Sequence, residues 1–198
     1  MLEKEVLLLR KIKKFYRNPI NMKKFTTILH GKIVSLSLID WFITVYAKRE
    51  KIIIKNTTSN KYVNDLIVHD EYKTALKSAQ KRYFDIFCRY DGIEYRYTEP
   101  YVVEYLEQLP ISNSAKKNIK AYYGQSSIKT AICQMNICMW IIENNILEYI
   151  TDNLTTLKLE MRNQKKTRTR IGKVTQLNVR NNVGKSLQDA IDVLNKNL

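Results

Sequence analysis

The chain has 198 residues, 44% of them hydrophobic, with only five glycines and three prolines. That is enough for one substantial domain with a packed core, and it argues against a disordered middle or a loop-rich sandwich. Thirty-four Lys and Arg stand against 19 Asp and Glu, a net charge of +15, and no apolar run reaches the roughly 18 residues that a bilayer-spanning helix needs.

Taken in order, Leu8, Ile12 and Phe15 follow helical spacing, so a short amphipathic helix is expected over Leu2 to Tyr16, broken by Asn18-Pro19. Met22 to Lys32 shows no clear period beyond Phe25, Ile28 and Leu29. Ser35 or Ser37 suits the N-cap of a second helix, whose face is Leu38, Ile39, Phe42, Val45 and Tyr46 and whose end is Lys48-Arg49-Glu50. Ile52 to Lys55 and Tyr62 to Val68 read as paired strands around a polar loop. Asp70 then caps a long helix stepping through Tyr72, Leu76, Ala79, Tyr83, Phe84 and Phe87, and Ile93 to Tyr97 alternates as a further strand of the same small sheet.

Pro100 begins a helix that Pro110 stops, and Ser112 to Tyr123 is a polar connection with room for one helical turn. Ser126 or Ser127 opens the most apolar element, with Ile128, Ala131, Ile132, Met135, Met139 and Ile142 in one stripe, until Asn144-Asn145 ends or kinks it. An amphipathic helix follows from Ile146 to Met161, and a weak one over Ser186 to Leu198 closes the chain. The expected fold is α+β, a predominantly helical single domain with a small sheet, spanning 33–160. Basic arms flank it at 1–32 and 161–198 and are expected to order on contact with a partner.

The charge is segregated. Arg10 to Lys32 holds eight Lys or Arg and no acid, and Met161 to Gln188 holds another eight and no acid. Those sixteen account for the whole excess, leaving 18 basic against 19 acidic residues elsewhere. Clustered cations gain affinity for polyanions by displacing counterions condensed on phosphate. The residues expected to bind nucleic acid are Arg10, Lys11, Lys13, Lys14, Arg17, Lys23 and Lys24 in the first arm. In the second they are Arg162, Lys165, Lys166, Arg168, Arg170 and Lys173.

Signatures of chemistry are missing. His30, His69, Cys88, Cys133 and Cys138 show no metal-ligand spacing, and the odd cysteine count fits a reducing compartment. Gly184-Lys185-Ser186 ends like a phosphate-binding loop, but Val179 stands where the first glycine belongs. The start is acidic, with only Val6 to Leu9 apolar behind it, too short for a secretory core. An intracellular, non-enzymatic protein without metal or cofactor is expected, and no membrane contact.

Three segments carry a resemblance. They are Ser35-Leu36-Ser37-Leu38-Ile39-Asp40-Trp41-Phe42 through Lys48, Tyr72-Lys73-Thr74-Ala75 through Asp85-Ile86-Phe87-Cys88-Arg89, and Gln134-Met135-Asn136 through Trp140-Ile141-Ile142-Glu143-Asn144. Together they resemble a small protein encoded across the nucleocytoplasmic large DNA viruses, among them the chlorella-virus, mimivirus and marseillevirus relatives. Members tend to read Asp-Pro-Phe-Cys-Arg; here Ile86 replaces the proline, and Tyr90-Asp91 follow Arg89. The resemblance implies a setting, the viral factory in host cytoplasm, the virion or the host nucleus, and not a mechanism. Asp40, Arg82, Asp85 and Arg89 form a candidate polar site in that body, against the plainer alternative of an ion pair tying two helices. The expected function is nucleic-acid binding with little sequence preference, in genome packaging or viral transcription, with a viral protein as second partner. The alternative is a minor capsid or core protein.

Overall fold

A computed structural model describes residues 3–31, 33–55, 65–87, 89, 92–122 and 125–167. The chain divides into two units, Met1–Leu154 and Thr155–Leu198. In the second, residues 155–167 are helical, continuing a helix that begins at 154. The expected terminal helix over Ser186 to Leu198 lies outside the described residues.

The first unit opens with two helices, α1 (Glu3–Tyr16) and α2 (Pro19–His30). Asn18 caps α2 by accepting a hydrogen bond from the Ile20 N–H, Pro19 occupies the first turn, and Gly31 ends it at φ 62°, a left-handed conformation that glycine adopts without steric cost. The expectation of an N-terminal arm ordering only on contact is corrected here. Ile12, Tyr16, Met22, Phe25 and Ile28 are buried, and burying side chains of this size stabilises by about 1.5–3 kcal/mol each. Tyr16 also donates its hydroxyl proton to the Met135 carbonyl at 2.8 Å. Arg10, Lys11, Lys13, Lys14, Arg17 and Lys23 stay exposed, and the sparse apolar residues between them suffice to seat the two helices.

Ser35 accepts from the Leu38 N–H as the N-cap of α3 (Leu36–Trp41), which runs through a π turn, Phe42–Tyr46, into α4 (Ala47–Glu50). The Ala47 N–H reaches back to the Phe42 carbonyl, one residue further than an α-helix allows. Strands β1 (Ile53–Lys55) and β2 (Asp65–Ile67) pair antiparallel, with Ile53 opposite Ile67.

Helix α5 (Val68–Ala79) is shorter than its periodicity suggests. Gln80 turns to φ 65°, a single 3-10 turn covers Lys81–Tyr83, and Phe84 to Phe87 leave the helical path. The three strands expected in one sheet are also redistributed. β3 (Gly92–Thr98) pairs with β4 (Gln125–Ala131), apart from β1 and β2. Residues 125–131 therefore do not start the apolar helix. Ser126, Ile128 and Thr130 alternate to one side, facing Tyr97, Tyr95 and Ile93, while Lys129 lies opposite Glu94 on the other.

Between those strands lie α6 (Pro100–Gln108) and α7 (Asn113–Tyr122). The ten residues of α7 exceed the single turn expected, and the Ser112 hydroxyl caps it by accepting from the Ala115 N–H. Helix α8 (Ile132–Glu143) is the core: Cys133 through Ile142 are all buried, and it packs on α1, α2, β4, the 3-10 turn and α9 (Ile146–Asp152). Asn145, at φ 53°, makes the break between α8 and α9 that the Asn-Asn pair signals. The expected α+β fold, mostly helical with little sheet, is the one observed.

Candidate functional site

Burying polar atoms costs free energy unless each finds a partner, and α8 buries two amide side chains. Gln134 donates to the Ile86 carbonyl at 2.7 Å and accepts from the Thr130 hydroxyl at 2.8 Å. Asn136 donates to the Tyr83 carbonyl at 2.8 Å. These bonds hold Tyr83 to Phe87 as a fixed loop, which explains why the helix preceding it stops early. Phe84 packs edge-on to Trp140 at 5.8 Å between centroids, and Tyr72 lies 6.0 Å from the same indole.

The loop presents Asp85, whose side chain is only 5% exposed. Arg89 grips it with both arms of the guanidinium, Nε to Oδ2 at 2.8 Å and Nη2 to Oδ1 at 2.9 Å. This bidentate pair is four residues apart within one segment, so it does not tie two helices as the plainer alternative supposes. Arg89 itself is 63% exposed and lies 5.6 Å from the Phe87 ring centroid. Asp40, half-buried on α3, senses both Arg89 and Asp85, and Tyr72 senses all three. Of the four candidate polar residues, Asp40, Asp85 and Arg89 thus form one coupled cluster, to which α5 adds Tyr72. Arg82 is exposed and lies over the Tyr83 ring at 5.7 Å.

The two carboxylates are driven in opposite directions. The hydrogen bonds from Arg89 hold Asp85 below the usual carboxylate range against its burial. Burial pushes Asp40 up, aided by Asp85 and opposed by Arg89. Asp85 therefore contributes stability that is present above its unfolded pKa and is lost as pH falls through its lower folded one. Asp40 has the opposite sign: its charging opposes folding above its folded pKa, and acidification relieves that cost. A carboxyl carbon NMR titration should show Asp40 protonating before Asp85 as pH is lowered, and Arg89→Gln should move both upward. Coincident titration of the two would contradict the cluster.

Among the described residues, no group of three His, Cys, Asp or Glu could hold a metal ion, and no helix is long and apolar enough to cross a membrane. Cys133 and Cys138 are buried in α8, and burial pushes the Cys138 thiol up.

The cationic residues sort by helix geometry. Arg10, Lys11 and Lys14 are exposed with Leu7 on one face of α1, opposite buried Ile12 and Tyr16, and exposed Arg17 follows the last turn of that helix. Lys13 is exposed on the flank, as is Lys23 on α2. Lys24 is ion-paired with Glu148 of α9, so a phosphate there would have to displace a carboxylate. In the helical stretch 154–167, Arg162, Lys165 and Lys166 are exposed, as is Lys158, which the charge runs do not single out. Arg168, Arg170 and Lys173 lie outside the described residues. Gln134, Asn136 and Tyr72 were likewise not legible as site residues; the only signal was their place inside the three recognisable segments, which the fold brings together.

The model of a family of unknown function (DUF7197) matches residues 1–119 and 101–197, nearly the whole chain. An uncharacterized protein of Acanthamoeba polyphaga mimivirus is 29% identical over 161 residues, 80% of this chain and 54% of that protein, so the chain spans about half the length of the curated relative it matches. No solved structure matches. The resemblance to a protein of the large DNA viruses is thereby upheld, and the chain belongs to DUF7197, a family of unknown function.

Proposed function

We propose that the protein binds nucleic acid through phosphate contacts with little sequence preference, serving genome packaging or transcription in the viral setting. The observation that carries this is the exposed stripe of Arg10, Lys11 and Lys14 on a firmly seated helix, within a run of residues free of acids. Arg10 and Lys14 are about 6 Å apart along the axis at 1.5 Å per residue, and a nucleic-acid strand offers a phosphate about every 3.4 Å. Guanidinium and ammonium groups so spaced meet a backbone without reading bases. The exposed Lys158, Arg162 and Lys166 repeat the spacing at i, i+4 and i+8 on the second helix, so each unit carries its own cationic face.

Fluorescence anisotropy with duplex and single-stranded DNA and RNA tests the reading, with sequence-scrambled probes binding equally. Each phosphate contact is worth about 0.7 decades at about 0.15 M salt. Arg162→Gln with Lys166→Gln should therefore weaken binding roughly thirtyfold. Unchanged affinity would remove that helix from the interface. A second reading, a virion component held by other viral proteins, draws support from Ile20 and Ile33, large apolar side chains left exposed. It requires saturable binding to a viral protein and feeble retention of either nucleic acid.

A further inference from the structure

The segment from α4 to α5 builds a cavity of about 420 Å³ that the cationic faces do not include. Three lysines line it from three different places: Lys48 in α4, Lys51 just after it, and Lys73 in α5. Lys48 suits the C-terminal turn of its helix on dipole grounds. Lys51 and Lys73 have no such reason to converge, and Lys51 holds φ 49°, a left-handed position where glycine or asparagine is usual. None of the three makes an ion pair among the described residues. Among the described residues Asp70 is the one acid lining the cavity, against the three lysines.

The other walls differ in character. Ile53 and Ile67, cross-strand partners of β1 and β2, are 50% and 45% exposed and form an apolar ledge. His69 also lines the cavity. Its Nδ1 lies 3.2 Å from the Ile43 carbonyl inside the π turn; a carbonyl only accepts, so Nδ1 carries the proton. Nε2 is buried and has no hydrogen-bond partner. Such an atom is costly to leave unmatched, and a π turn is a frequent companion of functional sites.

We propose that this cavity binds a phosphate ester with a planar apolar body, of mononucleotide size. The phosphate lies among Lys48, Lys51 and Lys73, and the body rests on the Ile53–Ile67 ledge. Asp70 accepts from a ligand N–H or O–H, and the His69 ring borders the ligand. The volume fits, since pockets for small ligands begin at about 300 Å³. The proposal is independent of the α1 stripe and fails or stands separately from it.

The test is a calorimetric and side-chain nitrogen NMR titration of the full chain with adenosine monophosphate, adenosine and inorganic phosphate. Saturable binding of the monophosphate, with a shift of the His69 ring nitrogens and weaker binding of both fragments, is expected. Lys51→Gln with Lys73→Gln, both on exposed side chains, should weaken the monophosphate by about tenfold or more, while Lys77→Gln, on an exposed lysine of α5 that does not line the cavity, leaves it unchanged. Absence of saturation, or equal affinity in the Lys51/Lys73 variant, would overturn the site. Inorganic phosphate binding as tightly as the monophosphate would overturn the ledge. A short oligonucleotide shifting His69 at lower concentration than the monophosphate would assign the lysines to nucleic-acid backbone and overturn the small-ligand assignment.

Discussion

Trp140→Ala is expected to destabilise the protein by about 3–5 kcal/mol, the range for removing a large aromatic side chain from a packed site. For a chain of this size that lowers the midpoint of thermal unfolding by about 10 °C. The indole is nearly buried, and it joins α8 to both Phe84 in the loop and Tyr72 on α5, so its loss opens a cavity that three elements share. Gln134→Leu keeps most of the volume but strips partners from the Ile86 carbonyl and the Thr130 hydroxyl, and about 2–3 kcal/mol is expected. Because both side chains hold the loop that carries Asp85, the double variant should lose less than the two singles together. Differential scanning calorimetry of the four proteins decides it. Losses below about 1 kcal/mol for Trp140→Ala would mean that α8 does not organise the loop.

Converting Arg10, Lys11 and Lys14 together to Gln should weaken binding to any nucleic acid by about a hundredfold at about 0.15 M salt, from three contacts at about 0.7 decades each. The fold should survive. All three side chains are exposed, while α1 is held by Ile12 and by the Tyr16 hydroxyl on the Met135 carbonyl. A matched control is Lys24→Gln, expected to change little because that ammonium is already engaged by Glu148. Circular dichroism and the melting transition separate lost contacts from lost structure.

Much of the local structure was written in single residues. Asn18-Pro19, Ser35, Pro100 and Asn144-Asn145 act where turn and cap chemistry places them, because each works on its own few backbone atoms. Periodicity misleads where distant contacts override it. Ile128 and Ala131 sit at helical spacing from Ile132 and Met135, but residues 125–131 pair with β3, and nothing local announces that partner. Tyr83, Phe84 and Phe87 continue the α5 period, yet Gln134 and Asn136 take the Ile86 and Tyr83 carbonyls and hold the chain in another path. The N-terminal segment looked like an arm because charge dominates its composition. Ile12, Met22, Phe25 and Ile28 seat it, and Arg10, Lys11 and Lys14 are left on one exposed face of α1.

The polar site was partly visible for the same reason. Asp85 and Arg89 are four apart in sequence, so a pair could be foreseen, though its confinement to one loop could not. Asp40 and Tyr72 reach the cluster through tertiary packing alone. The lysine-lined cavity was invisible because Lys51, Ile53, Ile67, His69 and Lys73 carry no motif and meet only when β1 pairs with β2 and α5 folds back on α4.

The most direct test of phosphate recognition is the slope of log affinity against log salt for one duplex and one single-stranded probe. With about six to eight contacts the duplex slope should lie near −5 to −7, and the Arg10, Lys11 and Lys14 variant should flatten it by about 2.7. A slope near zero, or a wild-type chain that ignores both probes at about 0.15 M salt, would contradict the account and leave the cationic faces to protein partners.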